Sequence, residues 1–180
     1  NEACIERMER LVKRTTWALV EQLKKSDFEP EEFEWRFQSR KDLEAVKLSL
    51  NHGASLELQG VIDRIDYFED EENLYLKVTD YKSGMKMFQL ADIYNGLSLQ
   101  LVVYLNAAME KAAKDQGKNV VPAGIFYFHI QDPLVDLEGY SGAEEALLAE
   151  FDLSGLALSE KDVVEHLDFG EEKSLPVSYK

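Results

Sequence analysis

The sequence predicts an α/β domain whose central mixed sheet carries helices on its faces. Apolar residues recur at helical spacing over residues 2–25 and again over 98–114. Between these helical stretches, residues 33–80 alternate apolar and polar side chains as β-strands do. An apolar, β-branched and aromatic run at 123–130 adds a buried strand after the second helix. A helix, several strands, a helix and a strand in this order favour a sheet packed between helices.

The first helix is predicted from apolar residues that return every three or four positions. They are Ile5, Met8, Leu11, Val12, Leu19, Val20 and Leu23. Cys4, the one cysteine of the chain, falls in the same pattern, and we expect it to be a half-buried helix residue. A single thiol can form no internal disulfide, so the fold needs no oxidising compartment. Pro30 lies in the stretch 26–32, which ends the helical pattern.

The strands in the middle of the chain are predicted from the alternation of apolar and polar residues. Residues 33–37 alternate aromatic with charged side chains, and residues 46–50 alternate apolar with polar ones. Two longer strands follow at 56–68 and 74–80. The acidic residues 69–72 between them form one tight turn. We therefore expect a β-meander in which the last two strands pair as a hairpin.

The second helix and the elements after it complete the predicted domain. Its apolar stripe consists of Leu101, Leu105, Ala108 and Ala112. Gly117 lies just past its end, where glycine commonly stops a helix. Beyond the following strand, we expect short helices at 143–151 and 160–167 and an extended segment at 175–180.

The length of 180 residues and the hydrophobic fraction of 45% predict one globular domain with a real core. We divide it into an N-terminal helix at 1–27, a core at 28–133 and an acidic C-terminal extension at 134–180. The chain is expected to be a fragment of a larger protein, cut before that protein's C-terminus. No apolar run reaches the length of a membrane span, so we expect a cytoplasmic protein without membrane contact.

Asp80 and Lys82 lie two residues apart at the end of a predicted strand, so their side chains point to the same side of the sheet. Asp63 lies on the preceding strand, and a hairpin would bring it to Asp80 at one edge of the sheet. Two carboxylates and the backbone carbonyl of Tyr81 can hold Mg²⁺, or Mn²⁺, through oxygen atoms. With the lysine to orient water and offset negative charge, this set can hydrolyse a phosphodiester.

Alternative interpretations stay open for several of these residues. An Asp-x-Lys pattern alone is common by chance, although Asp63 and Asp80 each interrupt an otherwise apolar strand. Gln100 and Tyr104 share one helix face. Their spacing fits a partly buried tyrosine beside an amide as well as a polar patch that faces the metal site and grips DNA. Glu34, between two aromatic residues, is interpreted as a surface charge unless it points along the sheet to support metal or substrate.

The net charge of −15 has the wrong sign for a surface that binds nucleic acid through its phosphates. Basic residues are nevertheless clustered at 7–14. Lys77, Lys82 and Lys86 are expected to surround the candidate site. We therefore expect this chain alone to bind DNA weakly, with a larger partner or a neighbouring domain supplying the grip.

Three motifs in order resemble those of the RecB-type nucleases in the PD-(D/E)XK superfamily. They are LQGVIDRID at 58–66, DYKSG at 80–84 and QLVVY at 100–104. The flanking FEP at 28–30 and GIFYFH at 124–129 resemble the AddB subunits of bacterial AddAB helicase–nucleases. Together these motifs cover the chain from about residue 28 to residue 133, and three in the family's order are far more specific than any one of them.

The resemblance implies a restriction-endonuclease-like core with a central mixed sheet. It implies that Asp63 and Asp80 are metal ligands and that Lys82 is the catalytic lysine. It also implies that Gln100 and Tyr104 line the site and that Glu34 is a supporting position near it, with its role left open. The implied activity is exonucleolytic cleavage of single-stranded or unwound duplex DNA ends, together with an AddA-type helicase–nuclease subunit, for recombinational repair. Full-length AddB proteins hold an iron–sulfur cluster, which a chain with one cysteine does not hold by itself.

Two other functions are compatible with the sequence. A non-catalytic module of the same fold, used for DNA guidance or subunit docking, would suit the acidic composition. A stand-alone RecB-like exonuclease of a phage or CRISPR-adaptation system would share the chemistry and differ in partners. The set of Asp63, Asp80 and Lys82 disfavours the first, and the AddB-like flanks disfavour the second.

Overall fold

The computed structural model describes residues 2–38, 46–84, 87–135 and 142–169. Its helices are α1 Glu2–Leu23, α2 Leu90–Tyr94, α3 Gln100–Gln116, α4 Ala143–Ala149 and α5 Lys161–Leu167, with a short 3₁₀ turn at Asn51–Gly53. Its strands are β1 Glu29–Gln38, β2 Lys47–Ser49, β3 Ser55–Glu57, β4 Gln59–Glu69, β5 Asn73–Lys82, β6 Asn119–His129 and β7 Ser154–Ala157. The predicted α/β class with a central mixed sheet is confirmed.

Five strands in the described part of the chain form this mixed sheet in the order β1-β4-β5-β6-β7. β1, β4 and β5 pair antiparallel, which confirms the predicted hairpin of the last two strands. The predicted meander is wrong at residues 46–50, because β2 pairs with β3 in a separate ribbon and β1 pairs directly with β4. β5 and β6 pair in parallel because α3 crosses over between them. This order puts β5 in the middle of the sheet, with its carboxyl end beside β4 and β6.

Two apolar clusters cover the two faces of the sheet. The α3-side cluster consists of Phe37, Val46, Ile62, Ile65, Tyr67, Leu74, Leu76, Val78, Leu101, Ala107, Ala108, Ala112, Ile125 and Tyr127. The α1-side cluster consists of Ala18, Phe28, Tyr75, Ala123, Phe126, Phe128, Phe151, Leu153, Val163 and Leu167. Successive residues of β5 therefore alternate between the two clusters, as the period of a strand requires.

The structure differs from the prediction in its short elements. The stretch 56–68 is two strands, because Leu58 between them donates its N–H to Val46 outside the sheet. β7 and α2 were not predicted. β7 is four residues long and contains Gly155, where a Cβ atom would approach the Ile125 carbonyl oxygen to 2.0 Å. The extended segment expected at 175–180 lies outside the described residues.

The N-terminal helix is correctly predicted in extent but not in burial. Ala18, in its second half, is buried, whereas Ile5, Met8 and Val12 are each 61% exposed. The prediction that Cys4 is half-buried is wrong, because Cys4 is exposed at the start of α1, away from the α1-side cluster. Among the described residues, no helix combines the length and apolar character needed to cross a membrane.

Candidate active site

Asp80 and Lys82 lie at the carboxyl end of β5, the middle strand of the sheet. Asp80 is buried at 3% exposure, and the Lys82 ammonium forms an ion pair with its Oδ2. The Lys82 Nζ also lies 5.2 Å from the ring centroid of Tyr127 on β6. Both side chains are therefore on the α3 side of the sheet, as their spacing predicts.

Asp63 approaches the same segment from β4. The antiparallel register pairs Arg64 with Thr79, which puts Asp63 next to Asp80. Here the Asp63 side chain is the hydrogen-bond acceptor for the β5 backbone, since the Tyr81 N–H donates a hydrogen bond to Asp63 Oδ2 at 2.7 Å. Asp63 is half-buried. The hairpin thus brings the first predicted carboxylate onto the backbone between Asp80 and Lys82.

The strand alternation breaks at Asp63. Ile62 and Ile65 are three residues apart, yet both belong to the α3-side cluster, so β4 does not keep a strict two-residue period here. On the neighbouring strand, Glu34 has a φ of 51°, which is uncommon for residues other than glycine. Glu34 lies opposite Asp63, between the paired residues of β1 and β4, and is exposed. Its exposure fits a surface charge and its position fits a supporting role, so both interpretations stay predictions.

Gln100 connects the acid and the lysine from the start of α3. Its Nε2 donates to Asp80 Oδ1 at 3.1 Å and to the Tyr104 hydroxyl at 2.9 Å. Its Oε1 accepts a hydrogen bond from Lys82 Nζ at 3.2 Å. The geometry agrees with both interpretations of the pair, since Tyr104 is half-buried beside the Gln100 amide and that amide also faces Asp80. The roles of these residues in catalysis stay predictions.

The expectation that Lys77 surrounds the site is wrong. Lys77 is three residues before Asp80, an odd number, so its side chain emerges on the opposite face of β5. It is 4% exposed, and its Nζ lies 3.0 Å from Asp66 Oδ2 and 5.2 Å from the Phe28 ring centroid. Burial lowers the pKa of Lys77 although the Asp66 carboxylate opposes this. Lys86 lies outside the described residues.

A buried charged network behind the site was not predicted from the sequence. Arg64 holds Asp66 through two contacts, Nε to Oδ1 at 2.7 Å and an Nη2 hydrogen bond to Oδ2 at 2.9 Å. The Nη1 of Arg64 donates to the Tyr81 hydroxyl at 3.1 Å. Burial alone would lower the pKa of Arg64, but the Asp66 carboxylate and Tyr81 raise it above its ordinary value. Burial also raises the pKa of Tyr81.

The candidate site offers oxygen atoms to a metal ion. Across 2–38, 46–84, 87–135 and 142–169, no group of three or more His, Cys, Asp and Glu side chains is placed to hold one. The donor set that the sequence predicts is smaller, namely the two carboxylates of Asp63 and Asp80 with the strand carbonyl of Tyr81, and its role as a metal site stays a prediction. This set fits Mg²⁺, which prefers oxygen, keeps several waters and commonly uses one or two carboxylates with substrate phosphates.

Residues 2–173 match the family model of the PD-(D/E)XK nuclease superfamily. The chain is also similar to the AddB subunits of ATP-dependent helicase/deoxyribonucleases. It is 36% identical over 170 residues to that of Ruminiclostridium cellulolyticum, covering 93% of this chain and 15% of the relative. For Clostridium acetobutylicum the values are 36% over 180 residues, 97% and 16%. For Thermoanaerobacter pseudethanolicus they are 37% over 166 residues, 91% and 14%. The chain spans a small part of each relative.

Proposed function

The chain belongs to the PD-(D/E)XK nuclease superfamily, and we propose that Asp63, Asp80 and Lys82 form a centre for metal-dependent hydrolysis of DNA phosphodiester bonds. One observation carries this proposal. The carboxylate of Asp63 is bonded to the backbone between Asp80 and Lys82, which gathers two acids and a lysine at one strand end. Gln100 bridges Asp80 to Lys82 and keeps the cluster together.

Each residue of the cluster has a distinct task in this proposal. Asp63, Asp80 and the Tyr81 carbonyl would hold Mg²⁺ or Mn²⁺. When bound, the ion supplies Lewis-acid polarisation of the phosphoryl oxygen and a lower pKa for its bound water. Lys82, already paired with Asp80, would orient the attacking water and offset the negative charge that develops on the phosphoryl oxygens. Gln100 holds Asp80 and Lys82 in register for both tasks.

The relatives suggest where this domain works. They are AddB subunits of ATP-dependent helicase/deoxyribonucleases, and this chain spans 14–16% of their length. We propose that it is the nuclease part of such a subunit, with an N-terminal helix at 1–27, a core at 28–133 and an acidic extension at 134–180. It would act beside an AddA-type helicase–nuclease subunit on single-stranded or unwound duplex ends during recombinational repair. The net charge of −15 supports a division of labour in which other parts grip the DNA.

The two other functions are less well supported. A non-catalytic module would need no alignment of Asp80, Lys82 and Gln100, yet these three are joined by hydrogen bonds and an ion pair. Asp63 is held beside them, since it accepts a hydrogen bond from the Tyr81 N–H. A stand-alone exonuclease would not explain similarity to AddB subunits along 91–97% of this chain. The helicase-associated nuclease is therefore the function that the observations support best.

The proposal is tested by strand cleavage in the full-length protein co-expressed with its helicase partner. Linear DNA labelled on one strand at a time separates cleavage by this protein from cleavage by the partner. We expect one strand to be degraded with Mg²⁺ or Mn²⁺ and to be spared with a chelator. Asp63→Asn should slow cleavage of that strand by at least about 100-fold, because it weakens the proposed metal site.

Asp162→Asn is the matched control, since it removes an exposed carboxylate from α5, which packs in the α1-side cluster. Its cleavage rate should equal that of the unchanged protein. If Asp63→Asn cleaves as fast as this control, the assigned centre is wrong. If cleavage of neither DNA strand depends on Asp63 or on a divalent metal, the non-catalytic alternative is favoured.

Gln100→Leu and Tyr104→Phe are expected to have unequal effects. Gln100 bonds directly to Asp80 and Lys82, so its loss should slow cleavage about 10- to 100-fold. Tyr104 reaches the cluster through Gln100, and phenylalanine preserves its edge contact with Phe37, so the loss should be smaller. Cleavage rates at saturating metal measure both, and a larger effect for Tyr104→Phe would contradict the proposed order.

A further inference from the structure

The buried network of Arg64, Asp66, Lys77 and Tyr81 lies behind the candidate active site, on the α1 side of the sheet. Arg64 is 4% exposed, Asp66 is 0% exposed and Lys77 is 4% exposed. These three side chains are on the opposite face from Asp80 and Lys82, so none of them reaches a substrate in the site. Burying three charged groups in a sheet is costly, and the catalytic cluster described above does not account for it.

Tyr81 is the connection between the two faces. Its ring packs against the α1-side cluster, in an edge contact with Phe128 at 5.8 Å, and its hydroxyl accepts a hydrogen bond from Arg64. Its backbone lies between Asp80 and Lys82, and its N–H donates to Asp63. Tyr81 therefore contacts Arg64 through its side chain and Asp63 through its backbone.

The remainder of the network holds Arg64 in place. The Asp66 carboxylate grips the guanidinium at 2.7 and 2.9 Å, and Lys77 lies 3.0 Å from the same carboxylate. The guanidinium is planar and meets this carboxylate through an ion pair at Nε and a hydrogen bond at Nη2, so its remaining nitrogen is aimed at the Tyr81 hydroxyl. Lysine at this position would keep the charge and lose the fixed geometry.

We propose that Arg64 is a positioning residue for the metal site: it fixes the Tyr81 side chain, and thereby the peptide that holds Asp63 and presents the carbonyl ligand. The inference rests on the proposed function of Asp63 and Asp80. Residues that orient metal ligands without touching the metal commonly change metal affinity 10- to 100-fold when they are replaced. The network would then act on metal affinity more than on the rate of the loaded enzyme.

The test measures Mn²⁺ binding by electron paramagnetic resonance in the full-length protein without nucleotide. The Mn²⁺ binding that the unchanged protein shows and the Asp63→Asn variant loses is the binding at the candidate metal site. Tyr81→Phe keeps the ring and its contact with Phe128 and removes the acceptor for Arg64, and Arg64→Lys removes the donor. Both should raise the dissociation constant for Mn²⁺ at this site about tenfold and shift the metal concentration for half-maximal cleavage equally. Cleavage at saturating metal should change much less.

Thr79→Val is the matched control. Thr79 is 0% exposed and lies on the same face of β5 as Lys77 and Tyr81. It pairs with Arg64 in the sheet, and its hydroxyl has no hydrogen-bond partner among the described residues. Valine keeps its shape, so Mn²⁺ binding should equal that of the unchanged protein. A shift of similar size in Thr79→Val would show general sensitivity of the strand and would overturn the assignment to Arg64.

The outcomes separate this inference from the proposed function. If the unchanged protein shows Mn²⁺ binding that depends on Asp63, but Tyr81→Phe and Arg64→Lys bind as tightly, the positioning role is wrong and the metal centre stands. A fall in cleavage with no shift in Mn²⁺ affinity contradicts the positioning role in the same way. If no Mn²⁺ binding depends on Asp63, the metal centre itself fails and the inference falls with it.

Discussion

Lys82→Met is expected to slow cleavage by at least about 10³-fold, which corresponds to about 4 kcal/mol of lost transition-state stabilisation. The lysine pairs with Asp80 and bonds to Gln100, so its ammonium is held at the strand end by two groups. Methionine fills a similar volume and keeps contact with the Tyr127 ring, so the fold should persist. Single-turnover cleavage of one labelled strand, with metal saturating, measures the loss.

Asp80→Asn should cost a similar factor, and the double variant should be no slower than the slower single one. Residues that act as a unit are non-additive in catalysis, because removing either one already disables the step they share. Lys118→Met is the control, since it removes a lysine paired with Glu69 at the other end of the sheet. Full multiplication of the two single losses would show that Asp80 and Lys82 act separately, against the proposal.

The part of the site that the sequence predicts is the part governed by local spacing. Asp80 and Lys82 share a face because they are two residues apart in a strand, and Gln100 faces Tyr104 because they are four apart in a helix. The approach of Asp63 follows from the short acidic turn between β4 and β5, which fixes the hairpin register. These relations need few residues and no tertiary context, so patterns reveal them.

The buried network is harder to predict because it depends on the register between strands. Asp66 pairs with Lys77 across β4 and β5, and Arg64 pairs with Thr79, so the ion pairs form only once the hairpin is aligned. Lys77 lies close to Asp80 in sequence, which favours the interpretation that both face the candidate site. Their separation of three residues, an odd number, puts the two side chains on opposite faces of β5. Three charged residues in otherwise apolar strands were the available signal.

The short elements and the exposed helix show a second limit. β7 is held by pairing with β6 and by the close approach at Gly155, neither of which a four-residue pattern reveals. In α1 the apolar spacing is correct for a helix, but spacing does not say which turns meet the sheet. The structure shows that Ile5 and Met8, near the start of α1, are exposed, while Ala18 is buried.

Asp66→Asn is expected to destabilise the strand pair β4–β5 by about 3–5 kcal/mol, the cost typical of leaving buried charge without its partner. Asparagine keeps the shape of Asp66 but leaves Arg64 and Lys77 as two buried cations facing a neutral amide. Lys77→Met should cost less, because Arg64 still holds both oxygens of Asp66. Hydrogen exchange of β4 and β5 amides in the full-length protein measures the local free energy of opening.

The pH dependence of that loss gives a second test of the same network. Burial lowers the folded-state pKa of Lys77 below the 10.5 of an exposed lysine, so the unfolded state binds the proton more readily. The penalty of charging Lys77 is fully present below its folded-state pKa and is relieved as pH rises from there toward 10.5.

Asp66→Asn removes the carboxylate that raises the pKa of Lys77, so the pH range over which this penalty is relieved should extend to lower pH. The deficit of the variant should therefore shrink as pH is raised toward 10.5, because a neutral Lys77 no longer repels Arg64. A deficit that stays constant with pH would mean that lost packing, and not unpaired charge, dominates the effect.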